Sequence, residues 1–189
     1  MKTLLILALM SAQAAFATQV VYEIDPAHTY PSFEADHMGG LSVWRGKFDH
    51  SAGTISLDRQ SGTGELEVTT DIASIDFGLG SLNEKARSAE LFDAQKYPSA
   101  IYRGTLAGFV NGTPTAVVGK LTLHGVTRPL DLKINSFKCI PHPLFKRELC
   151  GADASAKLDR AAFGISAGKD YGFSMDVTLR IQVEALRKE

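Results

Sequence analysis

The chain has little net charge and, beyond its N-terminus, no long apolar run, and each shortage excludes a class of function. Its 189 residues carry 20 lysines and arginines against 21 aspartates and glutamates, a formal charge of −1 at pH 7. These charges alternate with apolar residues instead of clustering, so the basic footprint of a nucleic-acid-binding protein is missing. Beyond the N-terminus, no apolar run approaches the roughly 20 residues that a membrane-spanning helix needs. Linkers, repeats and low-complexity tracts are also missing, which favours a single domain.

The N-terminus has the three parts of a secretory signal peptide. Lys2 supplies the charge, residues 4–10 form a short apolar run, and residues 15–17 read Ala-Phe-Ala, a pattern typical of a cleavage site. Residues 1–17 are therefore predicted to be removed, which leaves residues 18–189 as one exported domain. The simplest destination is a bacterial periplasm. An uncleaved anchor lying in the membrane interface is the alternative.

The sequence contains two cysteines, Cys139 and Cys150, on either side of a proline-containing loop. In an oxidising compartment such a pair most simply forms a disulfide. A loop of this size would contribute about 3 kcal/mol in the chain-entropy model. His142 lies between the cysteines, so a Cys/His metal site is an alternative, although a structural zinc site needs four ligands. Free thiols are the third possibility.

Alternation of apolar and polar residues dominates the rest of the chain. It begins at Val20, Tyr22 and Ile24 and stops at Pro26, as in an edge strand, and it is longest over residues 173–185. Residues 119–134, GKLTLHGVTRPLDLKI, hold two such runs joined by a turn predicted at residues 124–129. Asn111-Gly112 marks another hairpin turn, because both residue types tolerate positive φ.

One helix is predicted, over residues 81–92. Ser81 is the candidate N-cap, and Glu84 stands three residues further on, as in a capping box. About eight or more strands with short connections and a single helix fit an antiparallel barrel or a sandwich. We favour the barrel, because closure removes the exposed edges that long strands would otherwise offer for aggregation.

The inward face of such a barrel decides between a ligand cavity and a filled core. Small residues recur on the candidate inner faces, at Ala35, Gly119, Ala152, Ala154 and Ala156. They would leave room for an elongated apolar molecule. Large aromatic residues on other strands could fill the same space, so the pattern favours neither outcome.

Catalytic and metal sites are not predicted. Residues 164–168 match G-x-S-x-G, which in a hydrolase places the serine on a turn from strand to helix. Here the chain after Gly168 runs into an alternating strand, so a nucleophilic Ser166 is disfavoured. His28 and His37 are an odd number of positions apart and would face opposite ways on one strand. No carboxylate partner accompanies them, which argues against metal ligation.

Several stretches in order along the chain carry a family resemblance: DPAH at 25–28 with HMG at 37–39, GKF at 46–48 with GTI at 53–55, RSAELFDAQKYP at 87–98, LTLHGVTRP at 121–129, and DR with FG at 159–164. With them the chain resembles the YceI-like proteins, exported lipocalin-like barrels that bind polyisoprenoids and related amphiphilic lipids. The resemblance implies an all-β, antiparallel, lipocalin-like barrel of about eight strands with one short helix. It implies no enzyme activity and is compatible with a homodimer.

The resemblance also implies a bound lipid in the lumen, a long-chain isoprenoid that is either a polyprenyl compound or an isoprenoid quinone. His37 is the candidate polar contact at the mouth, with a hydrogen-bonded core histidine as the alternative. Pro31 and Gly40-Leu41 depart from the family pattern, which affects the shape of that mouth. The predicted ligand-binding residues are Phe33, Ala35, His37, Val43, Phe48, Leu66, Val68, Ile72, Leu91, Phe92, Tyr102, Leu106, Leu121, Leu123, Ala154, Ala156, Phe163, Val177 and Leu179.

Two other functions remain open from the sequence. The first is an interaction module with a filled core that acts through loops such as residues 140–149. The second, which the sequence context disfavours, is a hydrolase that uses Ser166.

Overall fold

The computed structural model describes residues 19–189, so the predicted signal peptide of residues 1–17 lies outside the described residues. The described chain forms twelve strands and one α-helix, joined by short connections and three 3-10 turns. The elements are β1 (Val20–Ile24), β2 (Tyr30–His37), β3 (Ser42–Phe48), β4 (Ser51–Asp58), β5 (Thr63–Asp71), β6 (Ile75–Asp76), α1 (Gly80–Arg87), β7 (Ser99–Ala107), β8 (Ala116–Leu123), β9 (Val126–Pro129), β10 (Leu132–Pro141), β11 (Glu148–Asp159) and β12 (Asp176–Arg187).

Eight of these strands close into a barrel. They follow the order β1, β4, β5, β7, β8, β10, β11, β12, and β12 pairs with β1 to complete the ring. All of these pairings are antiparallel, which confirms the predicted fold class. The expectation of an edge strand at the N-terminus is wrong. β1 pairs on both sides, because closure of the ring leaves it no free edge.

β12 gives the barrel two different ends. Its last residues, 185–187, pair with β1, whereas residues 177–182 pair with β2. β3 and β6 continue outward from β2, so the wall widens where β12 begins. Thr29 marks the division between β1 and β2: its buried hydroxyl donates to the Glu184 carbonyl and accepts from the Glu184 amide, both at 3.2 Å. We call the end near Asp176 the flared end and the end near Arg187 the closed end.

The helix is shorter than predicted. α1 spans Gly80–Arg87, and its N-cap is Leu79, without a side-chain cap, so the proposed capping box at Ser81 and Glu84 is wrong. The helix stops because the Ser88 hydroxyl donates to the Lys85 carbonyl at 2.7 Å, and the Ser88 backbone is extended. No helix within residues 19–189 is both long enough and apolar enough to span a membrane.

The start of β12 and the two predicted turns can be compared with the expectation. β12 begins at Asp176 and not at residue 173, because Gly168 and Gly172 adopt positive φ in the preceding loop. The turn expected at residues 124–129 occupies only the first two of them, with His124 at φ 51° and Gly125 at φ 74°, and β9 follows it. The turn at Asn111 and Gly112 is confirmed by φ values of 51° and 74°.

Gly53 is required by the close approach of β4 and β5. A Cβ atom there would lie 2.1 Å from the Glu67 carbonyl oxygen, which belongs to the rigid backbone of the neighbouring strand. We expect Gly53→Ala to lower the free energy of unfolding by about 1–3 kcal/mol, measured by urea denaturation. Gly80→Ala is the matched control, since no atom lies within 4 Å of its added Cβ. Equal stabilities of the two variants would contradict this account.

Candidate functional site

An elongated cavity of about 470 Å³ runs along the inside of the barrel. Alternate residues of β12 line it from Val177 at the flared end to Ala185 at the closed end. The eight residue steps from Val177 to Ala185 extend this lining over about 27 Å, measured along the strand. Leu66, Val68 and Leu121 belong to the core cluster yet are only partly buried, because they border this cavity. The structure thus has the ligand-sized cavity that the sequence left undecided.

The middle of the cavity wall offers almost no free polar group. The Tyr102 hydroxyl lines the cavity but donates to the Leu130 carbonyl at 2.9 Å. Burial, together with the charge of Asp131, raises the pKa of Tyr102 well above its usual range, so the hydroxyl stays protonated. Nearer the flared end, Thr70 shares a hydrogen bond of 3.0 Å with Ser51. With these groups already paired, the interior suits a hydrocarbon and has little to offer a polar solute.

Most of the predicted ligand-binding residues lie on the cavity wall. The structure brings together Phe33, Ala35, Phe48, Leu66, Val68, Leu91, Phe92, Tyr102, Leu106, Leu121, Leu123, Ala154, Val177 and Leu179. They come from strands on all sides of the barrel and from the segment after α1, because period-two alternation turns one face of each strand inward. That they contact a ligand stays a prediction.

Five predicted residues do not line the cavity: Val43, Ile72, Phe163, Ala156 and His37. Val43 faces the outside and is 51% exposed, because it is one residue out of phase with the inward face of β3. Ile72 and Phe163 are 1% and 2% exposed and pack in a cluster beside the cavity. Both lie in 3-10 turns, where the strand period does not apply. Ala156 shares a face with Ala154 but packs against the core cluster without bordering the cavity.

Five aromatic rings follow one another along the flared end of the cavity, and we call them the aromatic chain. Successive ring centroids lie 5.4–6.4 Å apart, in the order Trp44, Phe77, Phe33, Phe48, Phe92. All five rings border the cavity. Trp44 is not among the predicted residues, because alternation along β3 predicts the inward position at the neighbouring Val43. Phe77 is not predicted either, because it follows the two-residue strand β6, which is too short to show a period.

His37 supports the aromatic chain and does not itself line the cavity. Its ring stacks on Trp44 at 4.2 Å and meets Phe173 edge-on at 5.1 Å. Both of those rings border the cavity, whereas His37 does not. Trp44, and not His37, therefore borders the cavity, and a polar contact between His37 and a ligand stays a prediction.

Charged groups on the cavity wall are concentrated at the flared end. Asp36 accepts hydrogen bonds from the amides of Ser174, Gly40 and Gly39 at 2.8, 2.6 and 3.0 Å, and these bonds lower its pKa. Arg160 is half-buried and donates to the carbonyls of Ile165 and Ala167 at 3.0 and 2.8 Å. A guanidinium has five N–H donors, so Arg160 has capacity left for a polar group at this end.

The closed end is held by a polar network and a disulfide. Tyr22 and Arg59 both donate to the Glu148 carboxylate, each at 2.6 Å. Cys139 and Cys150 face each other on β10 and β11 and form a disulfide, as predicted. Their sulfur atoms lie close to the Glu148 carboxylate, but disulfide sulfurs are not thiolate ligands, so the Cys/His metal alternative finds no support at this position.

Ser166 lies in a setting unlike that of a hydrolase nucleophile. It is exposed, and the chain after it forms the 3-10 turn Lys169–Tyr171 before entering β12. The turn from strand to helix that the G-x-S-x-G motif requires is therefore replaced by a loop that leads from one strand to another.

Glu148 makes the closed end sensitive to acid. Burial acts to raise its pKa, but the hydrogen bonds from Tyr22 and Arg59 outweigh burial and hold the pKa below its usual range. The carboxylate therefore stabilises the fold at neutral pH. That contribution begins to be lost when the pH falls below the ordinary glutamate pKa of about 4.5, and it is gone once the pH has fallen below the lowered pKa of the folded protein. Burial and Glu148 raise the pKa of Tyr22 to about 12, so Tyr22 remains the donor throughout.

We expect Glu148→Gln to lower the free energy of unfolding by about 1–2 kcal/mol at pH 7, because it weakens two hydrogen bonds to a charged acceptor. The difference from the unchanged protein should shrink as the pH falls below about 4.5. Urea denaturation at several pH values measures it. A difference that is constant from pH 7 to pH 3 would contradict the assignment.

Comparison with known proteins agrees with this geometry. A family model described as the YceI-like domain matches residues 22–185. The UPF0312 protein of Serratia proteamaculans (strain 568) is 31% identical over 182 residues, which cover 95% of this chain and 92% of that protein. The crystal structure of the Campylobacter jejuni YceI protein has a TM-score of 0.66 at 25% identity and covers 79% of this chain and 88% of that one.

A polyisoprenoid binding domain from Saccharophagus degradans, described as implicated in plant cell wall breakdown, also has a similar structure. Its TM-score is 0.62 at 17% identity, with 89% of this chain and 99% of that chain covered. At this identity the likeness concerns the fold.

Proposed function

The chain belongs to the YceI-like family, and from this premise we propose that it is an exported protein that sequesters or carries a long-chain isoprenoid lipid in its barrel. The family points to a binding protein and not to an enzyme. Cleavage after Ala17 and delivery to the periplasm are part of the proposal, and the predicted signal peptide supports them.

The observation that carries the proposal is the shape and chemistry of the cavity. It follows β12 from Val177 to Ala185, about 27 Å along the strand, and it is apolar in its middle. Each methylene group moved from water into such a wall contributes about 0.8 kcal/mol, less the cost of ordering the chain. A long, narrow hydrocarbon tail uses this space better than a compact ligand does. The polyisoprenoid binding domain of Saccharophagus degradans, which has the same fold, supports an isoprenoid as that tail.

The head group is proposed to lie at the flared end. There the aromatic chain offers flat apolar faces, and Arg160 offers spare N–H donors beside them. A quinone ring has both a flat face and carbonyl acceptors, so it suits this combination better than an unsubstituted polyprenyl end does. α1 borders the same end through Leu82, Lys85 and Ala86, and exchange of the lipid would need this helix or the loop at residues 168–174 to move. A homodimer, with which the family resemblance is compatible, stays a prediction.

The first experiment asks what the barrel holds. Protein purified without detergent is extracted with organic solvent, and the extract is analysed by mass spectrometry. We expect an isoprenoid lipid in reproducible, near-stoichiometric amount, and a protein mass that corresponds to a chain beginning at Thr18. Ala154→Phe fills the lumen from β11 and should reduce bound lipid several-fold.

Lys157→Phe is the matched control, because it adds the same ring to the exposed face of the same strand and should leave lipid content unchanged. An empty barrel that also takes up no added isoprenoid would contradict the proposal and favour a module acting through its loops. Equal lipid content in the two variants would show that the lipid lies elsewhere.

The second experiment separates head from tail. An isoprenoid quinone and a polyprenol with the same number of isoprene units compete for the delipidated protein. Trp44→Ala should lower the affinity for the quinone, relative to that for the polyprenol, by about 2- to 12-fold, since an aromatic pair contributes ~0.5–1.5 kcal/mol. Val43→Ala alters the outward neighbour on β3 and should not change the ratio. If Trp44→Ala leaves this ratio unchanged, the quinone ring does not bind at the flared end.

A further inference from the structure

The hairpin that joins β10 to β11 carries an exposed apolar tip at the closed end of the barrel. Ile140, Leu144 and Phe145 are 41%, 78% and 60% exposed. We call residues 140–149 the hairpin tip. Large apolar side chains grouped on one protruding segment are a mark of an interaction surface.

The hairpin tip is held in a fixed conformation. The disulfide closes its base, and the His142 amide donates across it to the Arg147 carbonyl at 2.7 Å. The amides of Leu144 and Phe145 both donate to His142 Nδ1 at 3.1 Å, and the His142 ring stacks on Phe145 at 4.5 Å. These contacts hold Leu144 and Phe145 outward before any partner arrives, which lowers the entropic cost of binding.

Positive charge surrounds the apolar residues. Lys138 and Lys146 are exposed, and Arg147 is partly exposed beside Phe145. The acidic residue of the tip, Glu148, is already paired with Arg59. Glu189 approaches Arg147 at 3.8 Å but is itself 88% exposed. The tip therefore presents exposed apolar side chains flanked by basic residues.

We propose that the hairpin tip docks the barrel onto an anionic lipid surface. Leu144 and Phe145 enter the boundary between head groups and acyl chains, and Lys138, Lys146 and Arg147 face the lipid phosphates. The combination of apolar anchors with basic flanks is complementary to such a surface. The inference goes beyond the proposed function and does not depend on what the cavity holds.

Docking in this way leaves the flared end uncovered. Leu149 pairs with Leu186 near the hairpin tip, whereas Asp159 pairs with Asp176 at the flared end. Ten residues of β11 separate the two positions, a distance of about 33 Å. The flared end would then face away from the membrane and remain open for exchange of the lipid.

The flared end has its own exposed apolar residues but lacks an excess of positive charge beside them. Met38, Leu41 and Tyr171 are 52%, 73% and 79% exposed there. The segments that carry them mix opposite charges, as with Lys169 next to Asp170. The flared end is therefore the weaker candidate for an anionic surface, and it supplies the control.

The test is sedimentation of the full mature protein with vesicles of phosphatidylcholine alone or mixed with phosphatidylglycerol. We expect binding to the anionic vesicles that weakens with added salt. Lys146→Gln with Arg147→Gln should weaken it about 30-fold, since each basic residue near such a surface contributes a factor of about 5. Leu144→Ser with Phe145→Ser should weaken it at least about 10-fold.

Met38→Ser with Leu41→Ser removes two exposed apolar residues from the opposite end and should bind as the unchanged protein does. Circular dichroism and the lipid content of every variant are measured in parallel. We expect both to be unchanged by the hairpin substitutions, so that loss of docking is distinguished from loss of the fold or of cavity binding. Failure to bind anionic vesicles, or binding lost only with Met38→Ser and Leu41→Ser, would overturn the proposal.

Discussion

The pairing of β12 with two successive strands is the contact on which the rest of the structure depends. At one end β12 meets β1 and closes the ring of eight strands, and at the other it meets β2 and widens the wall. The Thr29 hydroxyl and the Glu184 backbone hold the point where one pairing gives way to the other. A barrel closed by the same partner along all of β12 would lack the additional strands β3 and β6 and the aromatic residues that they position.

The cavity follows from closure combined with small residues. Gly104 and Gly119 lie opposite each other on β7 and β8, and a Cβ on Gly119 would lie 2.3 Å from the Tyr102 hydroxyl. Because position 119 is glycine, the Tyr102 ring can lie against the wall, and its hydroxyl reaches the Leu130 carbonyl. With a larger residue there, the ring would have to point across the lumen. Ala154 and Ala185 keep the opposite wall thin. The apolar middle, the aromatic flared end and the polar closed end thus follow from one sheet with one inward face.

Sequence reasoning succeeded where a single local rule decides the outcome. Strict alternation predicted the inward face of β12, and the Asn111-Gly112 dipeptide predicted its turn, because each depends on residues adjacent in the chain. It failed where distant contacts decide. Trp44 rather than Val43 faces inward because β3 is held by β2, and Ile72 leaves the strand pattern in a 3-10 turn. The double pairing of β12 could not be predicted, since nothing local in its sequence distinguishes residues 177–182 from 185–187.

We propose that one apolar tail occupies the whole length of the barrel. The most direct measurement is the binding free energy of a series of polyprenols of increasing length, determined with the delipidated protein. Affinity should rise with each added isoprene unit until the tail fills the cavity, which follows β12 for about 27 Å, and then level off. Affinity that does not depend on tail length, or that keeps rising well beyond that span, would contradict the claim.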